Sequence, residues 1–374
     1  MGIGEPVVFA WQKSRYFDIV KEFHQYLTKN IVVGLCECVS VIGPLLGSGH
    51  SLLQNQHGFS VDNIVSANVV LANGTTAKAS ASTNPDLFWA LRGAGHNFGI
   101  VTSFTLKTYP IPSTYSIYTL TFSKDQIDQV FTLVNDIDSP PTTRDPKLFL
   151  NSWLFRPTPD QEPIFSYSLA YEGSLADLSV HAAPFLALNP TTTTLVTDVT
   201  YADIHKALGF GAEIFACGKK TNQAISGVAL SKWNLAGLHN TYELYASLTA
   251  DQRFINSAVL LENYGIVAVT GVEPGSTAVP PEERERPILT SAVVHYDGDD
   301  EGTKQEAAEW LKKLTDALYE GVGEGYRHAY VNYANGNESL GEVYGREEWR
   351  IRKLKGLKSE WDPENRFRFY NPLV

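Results

Sequence analysis

The stretch from residue 84 to residue 107 decides the fold, and it reads Asn-Pro-Asp-Leu-Phe-Trp-Ala-Leu-Arg-Gly-Ala-Gly-His-Asn-Phe-Gly-Ile-Val-Thr-Ser-Phe-Thr-Leu-Lys. Its first part predicts a short helix over residues 87–92, with Asn84 as the N-cap, Pro85 in the first turn and Gly93 at the end. After a glycine-rich turn, residues 100–107 alternate in the manner of a strand. A helix and a strand thus follow each other closely in this part of the chain.

The residues before this stretch predict further short elements. Asn73-Gly74 favours a tight hairpin turn between strands over residues 69–72 and 75–79, since both residue types tolerate positive backbone dihedrals. Apolar residues at helical spacing predict an amphipathic helix over residues 14–29, and a strand over residues 31–33 follows it. The glycine-rich segment 34–50 is expected to be a loop.

The residues after this stretch predict a second lobe of mixed helices and strands. Strands are expected over residues 147–155, 164–171, 259–270 and 288–296, and helices over residues 123–137 and 303–319. The segment 271–287, rich in Pro, Gly and Glu, is expected to be an exposed loop, residues 330–333 a strand and residues 347–358 a basic helix. The predicted fold class is therefore α+β.

Length and composition bound the class of protein. With 374 residues, of which 43% are hydrophobic, the chain can bury a sizeable core. The formal net charge of -11 argues against binding to nucleic acid or to an anionic membrane, because both need a basic surface. No apolar run reaches the roughly 18 residues of a membrane span, and residues 1–15 lack a hydrophobic signal core. We therefore expect a cytoplasmic protein that acts on a small molecule, and the sequence leaves its oligomeric state open.

The three cysteines, Cys36, Cys38 and Cys217, are too few for a disulfide framework. Cys36-x-Cys38 also lacks the wider spacing and the second pair of a zinc site, so no metal is expected. From the residues alone, we expect three buried thiols. A functional role for any of them has to come from its context in the chain.

Several motifs together resemble the berberine-bridge-enzyme-like FAD-linked oxidases of the vanillyl-alcohol-oxidase, or PCMH-type, superfamily, and especially its fungal members of secondary metabolism. The family's Gly-x-Cys loop and glycine-rich turn correspond to Gly34, Cys36 and the run Gly47-Ser-Gly-His-Ser51. Further matches are hydrophobic-Asp-Asn at residues 61–63, Asp-Leu-Phe-Trp-Ala-Leu-Arg-Gly at residues 86–93 and Asn-Phe-Gly-Ile-Val-Thr at residues 97–102. The likeness is dense over residues 31–109 and moderate over residues 328–372.

The resemblance implies how the chain is divided and what it binds. It implies a partial FAD-binding lobe over residues 1–110, a substrate-binding α+β lobe with an antiparallel sheet and flanking helices over residues 111–325, and a C-terminal segment over residues 326–374 that packs back on the first lobe. FAD is the implied cofactor, with Cys36 as a point of covalent attachment to the flavin ring. The implied cofactor-binding residues are Cys36, Gly47, Ser48, Gly49, His50, Asp62, Asn97, Gly99 and Ile100. Glycines suit such a site because a missing Cβ leaves room for a phosphate or a ring edge.

The C-terminal Tyr330-Val-Asn-Tyr333 resembles the family's Tyr-x-Asn-Tyr. By that resemblance Asn332 faces the flavin and Tyr333 is the general base, in the oxidation of a small secondary-metabolite substrate with O2 as the acceptor. A phenol titrates near pH 10, so Tyr333 would need neighbours that lower its pKa. A core tyrosine in a strand is the alternative. His50 and His96 could donate to flavin or substrate, and for each the alternative is a hydrogen-bonded structural histidine.

The chain also departs from the family. It lacks an N-terminal loop of the Gly-Gly-His type, and Ser48 replaces the middle glycine of the triplet. Three explanations stay open: an incomplete gene model, a short protein that binds FAD weakly, or a relative that lost the flavin and kept its pocket. In the last case the function would be a redox-neutral cyclase or pericyclase (Diels-Alderase-like) of a polyketide or terpenoid intermediate, because holding reacting atoms in a near-attack geometry lowers the barrier. A non-catalytic binding protein is a further alternative.

Overall fold

A computed structural model describes residues 7–10, 20, 28–111, 113–211 and 222–374 of the chain. In chain order the strands are β1 (Val7–Ala10), β2 (Lys29–Asn30), β3 (Ile64–Val70), β4 (Thr76–Ser80), β5 (Ile100–Leu106), β6 (Tyr109–Pro110), β7 (Tyr115–Phe122), β8 (Leu148–Phe155), β9 (Ile164–Glu172), β10 (Thr192–Val199), β11 (Asn222–Ile225), β12 (Val228–Leu230), β13 (Ala258–Asn263) and β14 (Ile288–Tyr296).

These strands form two main antiparallel sheets. The smaller sheet has four strands in the order β1-β5-β3-β4, and β2 pairs separately with β6. The larger sheet has eight strands, in the order β10-β7-β9-β8-β13-β14-β11 with β12 also paired to β14. The small sheet is therefore built from residues before position 107 and the large sheet from residues 115–296.

The helices lie between and around these strands. The α-helices are Ile42–Leu45, Gln54–His57, Pro85–Ala94, Ile127–Ile137, Leu175–Leu186, Ile204–Ala207, Leu235–Leu248, Val267–Thr270, Pro281–Arg284, Glu301–Leu318, Leu340–Tyr344 and Glu348–Trp361. The 3-10 helices are Ser60–Asn63, Gly95–Asn97, Lys124–Gln126, Pro141–Thr143, Gln252–Phe254 and Glu324–Tyr326. Among the described helices, none combines the length and the apolar character that a membrane crossing requires.

One face of the large sheet packs against helices, and the opposite face is not covered by these helices. The helices on the packed face are Ile127–Ile137, Leu175–Leu186, Leu235–Leu248 and Glu301–Leu318. Because side chains alternate along a strand, Val259 and Leu261 of β13 join this core while Leu260 and Glu262 point to the opposite side. A charged residue in a buried strand thus faces away from the helices.

Several predicted elements are confirmed. The Asn73-Gly74 turn joins β3 to β4, and Gly74 has a φ of 83°. Strands β5 and β14 and the helices Ile127–Ile137 and Glu301–Leu318 lie where their patterns predict them, and the α+β fold class is confirmed. Asn84 is not a side-chain N-cap, because its backbone is left-handed and its Nδ2 donates to the Lys78 carbonyl at 2.8 Å.

Other local predictions are wrong. Residues 31–33 are irregular, residues 331–333 form a turn, and residues 267–270 are helical beyond the end of β13. Residues 31–33 are apolar and buried, and the other two segments contain apolar residues at least one of which is buried; apolar character alone does not distinguish a strand from a turn or a short helix. The helix predicted over residues 14–29 lies almost entirely outside the described residues, as does Cys217.

The segment 271–287, expected to be an exposed loop, has that character only over residues 271–276, whereas residues 277–280, 283, 284 and 287 are buried. Trp89 Nε1 donates to the Gly275 carbonyl at 2.7 Å, and Arg284 binds the Asp62 carboxylate at 2.8 Å. Glu283 is only 3% exposed. The Pro, Gly and Glu composition is misleading for the second part of the segment, because the buried charges of Glu283 and Arg284 are paired with partners far away in the sequence.

The C-terminal segment contacts the turn after the Pro85–Ala94 helix. Lys358 Nζ donates to the Asn97 carbonyl at 2.8 Å and to the Asp362 carboxylate at 2.6 Å. The Leu373 amide donates to Asn97 Oδ1 at 3.2 Å. These bonds connect residues near the end of the chain to the small sheet's neighbourhood.

Candidate functional site

A cavity of about 320 Å³ lies between the glycine-rich segment and the free face of the large sheet. The large sheet contributes Trp153, Ile225, Leu260, Glu262 and Val293. The remaining lining residues include Gly34, Leu35, Cys36, Val39, Pro44, His50, Phe210, Tyr264, Tyr330, Asn332 and Tyr333. An apolar and aromatic lining with a few polar groups is typical of small-molecule sites.

Glu262 is a carboxyl group buried in the wall of this cavity. The residue is 1% exposed, and its oxygens accept hydrogen bonds from the hydroxyls of Tyr264 at 2.8 Å and Tyr333 at 3.4 Å. Burial raises the pKa of Glu262 to about 7, although Tyr264, His50 and Tyr333 act in the opposite direction. An acid that titrates near neutral pH is suited to accept a proton from a substrate and release it again.

Tyr333 and Asn332 meet in the cavity, as the sequence motif predicts. Burial, and next the neighbouring Glu262, raise the pKa of Tyr333 well above its usual value, which is opposite to what an isolated phenolate base requires. Asn332 Nδ2 donates to the Tyr330 hydroxyl at 2.7 Å and to the Pro44 carbonyl at 3.0 Å. Because its pKa is raised, Tyr333 keeps its proton and donates a hydrogen bond to the carboxyl group of Glu262.

Sequence reasoning missed Glu262, Tyr264 and Glu283. A signal for Glu262 is present in the run Ala-Val-Leu-Leu-Glu-Asn over residues 258–263, because a single acid in an apolar strand is costly to bury unless it has partners or a function. No comparable signal marks Glu283, which lies in a segment whose composition is that of a loop.

The glycine-rich turn packs against protein atoms at two of its glycines. A Cβ on Gly47 would lie 2.5 Å from Oδ1 of Asn332, and a Cβ on Gly49, whose φ is 74°, would lie 2.6 Å from the Ser60 Cβ. The room predicted at these glycines for a phosphate or ring edge is thus taken by side chains. A Cβ on Gly43 would meet nothing within 4 Å, so this segment has free space at Gly43 and not at Gly47 or Gly49.

Cys36 and Ser48 are the two groups of this segment whose chemistry fits a cofactor, and of the two only Cys36 lines the cavity. Ser48 is 2% exposed, and its hydroxyl has no hydrogen-bond partner among the described residues. A buried, unpaired hydroxyl is rare in proteins and fits a position that a ligand atom completes. Cys36 is a free thiol in the cavity lining, and burial raises its pKa.

The expectation of three thiols is wrong for Cys38, which is disulfide-bonded. Its Sγ lies 3.5 Å from the Sγ of Cys36, but Cys36 is a free thiol and is not the partner in this disulfide. Which sulfur atoms meet depends on the folded backbone, so the number and spacing of cysteines did not reveal this bond.

Asp62, Asn97, Gly99 and Ile100 do not line the cavity. Both carboxylate oxygens of Asp62 accept from Arg284, at 2.8 and 3.0 Å. The Asn97 amide bonds to the Tyr344 hydroxyl and to the C-terminal backbone, a Cβ on Gly99 would meet β3, and Ile100 is 50% exposed. The structure therefore brings Cys36, Gly47, His50, Asn332 and Tyr333 together and leaves these four residues elsewhere in the N-terminal part.

The two histidines differ in their surroundings. His96 Nε2 lies 2.8 Å from the Tyr344 hydroxyl, and burial lowers the pKa of His96 to about 4, so it is a neutral structural histidine. His50 lines the cavity, with Nε2 2.5 Å from Oε1 of Glu283 and Nδ1 3.0 Å from Oε1 of Gln54.

The chain is similar to named enzymes along most of its length. It is 34% identical over 347 residues to the FAD-linked oxidoreductase anuG of Penicillium roqueforti, an alignment that covers 91% of this chain and 67% of that protein. The chain belongs to the FAD-linked oxidoreductases. No family model matches it.

Solved structures show the same fold. BBE-like 1 of Physcomitrella patens has a TM-score of 0.77 at 21% identity, over 98% of this chain and 77% of that one. Glucooligosaccharide oxidase from Acremonium strictum has a TM-score of 0.80 at 17% identity, over 100% of this chain and 79% of that one. The fold of berberine-bridge-enzyme-like FAD-linked oxidases, which the sequence resemblance implied, is therefore confirmed. This FAD-linked oxidoreductase is an enzyme, and FAD is the cofactor that its family name carries.

Proposed function

We propose that this FAD-linked oxidoreductase oxidises an alcohol or C–H group of a small organic substrate in the cavity between the glycine-rich segment and the large sheet. The substrate would lose two hydrogens, and O2 would accept them as hydrogen peroxide. The observation that carries the proposal is the Tyr333 and Glu262 pair, a phenol and a buried carboxyl group joined at 3.4 Å in the cavity wall.

Glu262 and Tyr333 would share the work of a general base. A substrate proton would pass to the Tyr333 oxygen while the Tyr333 proton passes to Glu262, so that no free phenolate is required. The raised pKa of Glu262, about 7, means that its carboxylate and acid forms are both populated near neutral pH. Tyr264 holds the other carboxylate oxygen at 2.8 Å and fixes its orientation.

The residues present fit the ring end of FAD. When bound, FAD supplies the acceptor for two electrons. The free thiol of Cys36 would offer a covalent attachment and the unpaired hydroxyl of Ser48 a hydrogen-bond donor. Both hydrogens of the Asn332 amide bind protein atoms, so Asn332 would offer its Oδ1 as an acceptor. The glucooligosaccharide oxidase that shares this fold carries, by its description, a 6-S-cysteinyl FAD.

The proposed division of labour follows the domain boundaries expected from the sequence. Residues 1–110 and 326–374 would hold the cofactor, and residues 111–325 would supply the substrate wall through β8, β11, β13 and β14. Four predicted cofactor-binding residues lie away from the cavity, namely Asp62, Asn97, Gly99 and Ile100. Any contact of theirs with the cofactor would fall outside the cavity and stays a prediction.

An absorption spectrum combined with product mass tests this function. We expect purified protein to absorb between about 350 and 500 nm, and a turned-over substrate to lose two hydrogens with peroxide formed. A folded protein that is colourless, stays so with added FAD, and yields a product of unchanged mass would contradict the oxidase and support the redox-neutral cyclase.

A further inference from the structure

Glu283 joins two buried histidines beside the cavity. Its Oε1 lies 2.5 Å from Nε2 of His50, and its Oε2 lies 2.5 Å from Nε2 of His328. The exposed fractions are 6% for His50, 3% for Glu283 and 0% for His328. The three residues come from the glycine-rich turn, from the Pro281–Arg284 helix and from the C-terminal segment. A cluster assembled from three distant segments is a product of the tertiary fold.

The hydrogen bonds of Gln54 determine which nitrogens of His50 carry protons. Gln54 Oε1 accepts from the Ser51 amide at 3.1 Å, and Gln54 Nε2 donates to the Gly265 carbonyl at 3.1 Å. An amide rotated by half a turn would face a donor with a donor and an acceptor with an acceptor. The oxygen of Gln54 therefore faces Nδ1 of His50, and Nδ1 must donate.

The other nitrogen of His50 must also share a proton with Glu283. A carboxyl group is a stronger acid than an imidazolium, so the proton between Oε1 of Glu283 and Nε2 of His50 belongs to the imidazole, and Glu283 is a carboxylate. The hydrogen bond from His328 to its other oxygen favours the same charged form. A carboxylate only accepts, so Nε2 of His50 donates as well as Nδ1. His328 needs one proton only, because its Nδ1 has no hydrogen-bond partner among the described residues.

The positive pole of this ion pair lines the same cavity as Glu262, with Tyr264 in contact with both residues. The rings of His50 and Tyr264 are 5.0 Å apart, and the Tyr264 hydroxyl binds Glu262. The groups that face His50 are Glu283, Glu262, Tyr264 and Tyr330, with Phe59 on a further side. Both nitrogens of His50 are occupied by protein partners, so its influence on the cavity is electrostatic.

We propose that Glu283, supported by His328, keeps His50 as an imidazolium, and that this buried cation stabilises the carboxylate form of Glu262. Glu283 is thus a positioning residue that acts through His50 and never touches the substrate. The first half of the proposal stands on hydrogen-bond geometry and on the ordinary acidities of a carboxyl group and an imidazolium, and the second half rests on the proposed role of Glu262 as proton acceptor. Removing the anion would leave His50 as a buried charge without a partner, and it would release a proton.

Nitrogen NMR of protein labelled with ¹⁵N-histidine tests the first half. In the wild type we expect both ring nitrogens of His50 to carry protons. In Glu283→Gln, one of them should lose its proton. Asp128→Asn is the matched control, because Asp128 pairs with an exposed histidine, His239, at 2.8 Å. A wild-type His50 with one unprotonated nitrogen would overturn the proposal.

Infrared spectroscopy tests the second half without requiring turnover. The carbonyl band of protonated Glu262 is isolated by subtracting the spectrum of Glu262→Gln. Because the pKa of Glu262 is about 7, its acid and carboxylate forms are both populated near neutral pH in the wild type. In Glu283→Gln we expect the protonated fraction at the same pH to rise, and an unchanged band would overturn this half.

His328→Gln covers the case in which Glu283→Gln does not fold. It keeps the Glu283 to His50 contact, so we expect His50 to remain an imidazolium in this variant, and a neutral His50 would contradict the geometry. The two proposals fail separately. A colourless, inactive protein with a cationic His50 would refute the oxidase function alone, whereas an active oxidase with a neutral His50 would refute the ion pair alone.

Discussion

Replacing Glu262 by Gln should stabilise the protein at alkaline pH while abolishing most of its activity. Gln has nearly the same shape as Glu, and its carbonyl can still accept from Tyr264 or Tyr333. What it removes is the free energy of burying a negative charge. Because Glu262 is 1% exposed, solvent does little to reduce that free energy in the folded state.

The magnitude follows from the pKa of about 7 against an ordinary value of 4.5. At about 1.4 kcal/mol per pH unit, the folded protein is destabilised by roughly 3 kcal/mol once the carboxyl group is ionised in both states. The sign is set by proton binding. Between the two pKa values the folded state holds a proton that the unfolded state has lost, so this group lowers stability as pH rises from 4.5 to about 7 and no further.

Urea unfolding at about pH 4.5 and about pH 8 measures this effect. We expect the free energy of unfolding of Glu262→Gln to be close to that of the wild type at the lower pH and higher by up to about 3 kcal/mol at the higher pH. Glu360→Gln, which changes an exposed glutamate, should show no such difference. If the gap between variant and wild type is the same at both pH values, Glu262 is not the raised, buried acid described above. Turnover should fall by about 10²- to 10⁴-fold in the same variant.

Three further outcomes are expected. Tyr333→Phe should lower kcat by at least about tenfold because the proton path to Glu262 is lost, whereas Tyr326→Phe, at a residue 75% exposed, should leave it unchanged; equal rates would refute the relay. Cys36→Ala should move flavin colour from the acid-precipitated pellet into the supernatant, and colour retained in the pellet of the variant would exclude Cys36 as the attachment point. Gly47→Ala should cost about 1–3 kcal/mol of stability on urea unfolding and displace Asn332, while Gly43→Ala, where a Cβ meets nothing, should cost little; similar losses in both would contradict the close packing of Gly47.

Local patterns predicted much of the fold. The Asn73-Gly74 turn, strands β5 and β14 and two long helices lie where turn chemistry and periodicity place them. These signals come from residues close together in the chain. They failed where an apolar run had no period of its own, as at residues 31–33 and 331–333, because there tertiary packing and not local preference chose the backbone.

The sequence motifs also placed the site in part. Cys36, His50, Asn332 and Tyr333 do meet around one cavity, as the resemblance implied. The resemblance did not predict the protonation states of these residues and their neighbours. A tyrosine in a motif has no defined pKa until its neighbours are known, and the structure shows that burial raises that of Tyr333.

By itself, then, the sequence determined the family, the α+β class and four of the residues that reach the cavity, which are Cys36, His50, Asn332 and Tyr333. Only the tertiary structure decided that Glu262 shares that cavity and that Glu283 lies between His50 and His328. The physical reason is that desolvation and charge pairing depend on which distant segments are packed together, and no pattern of neighbouring residues in a chain encodes those distances.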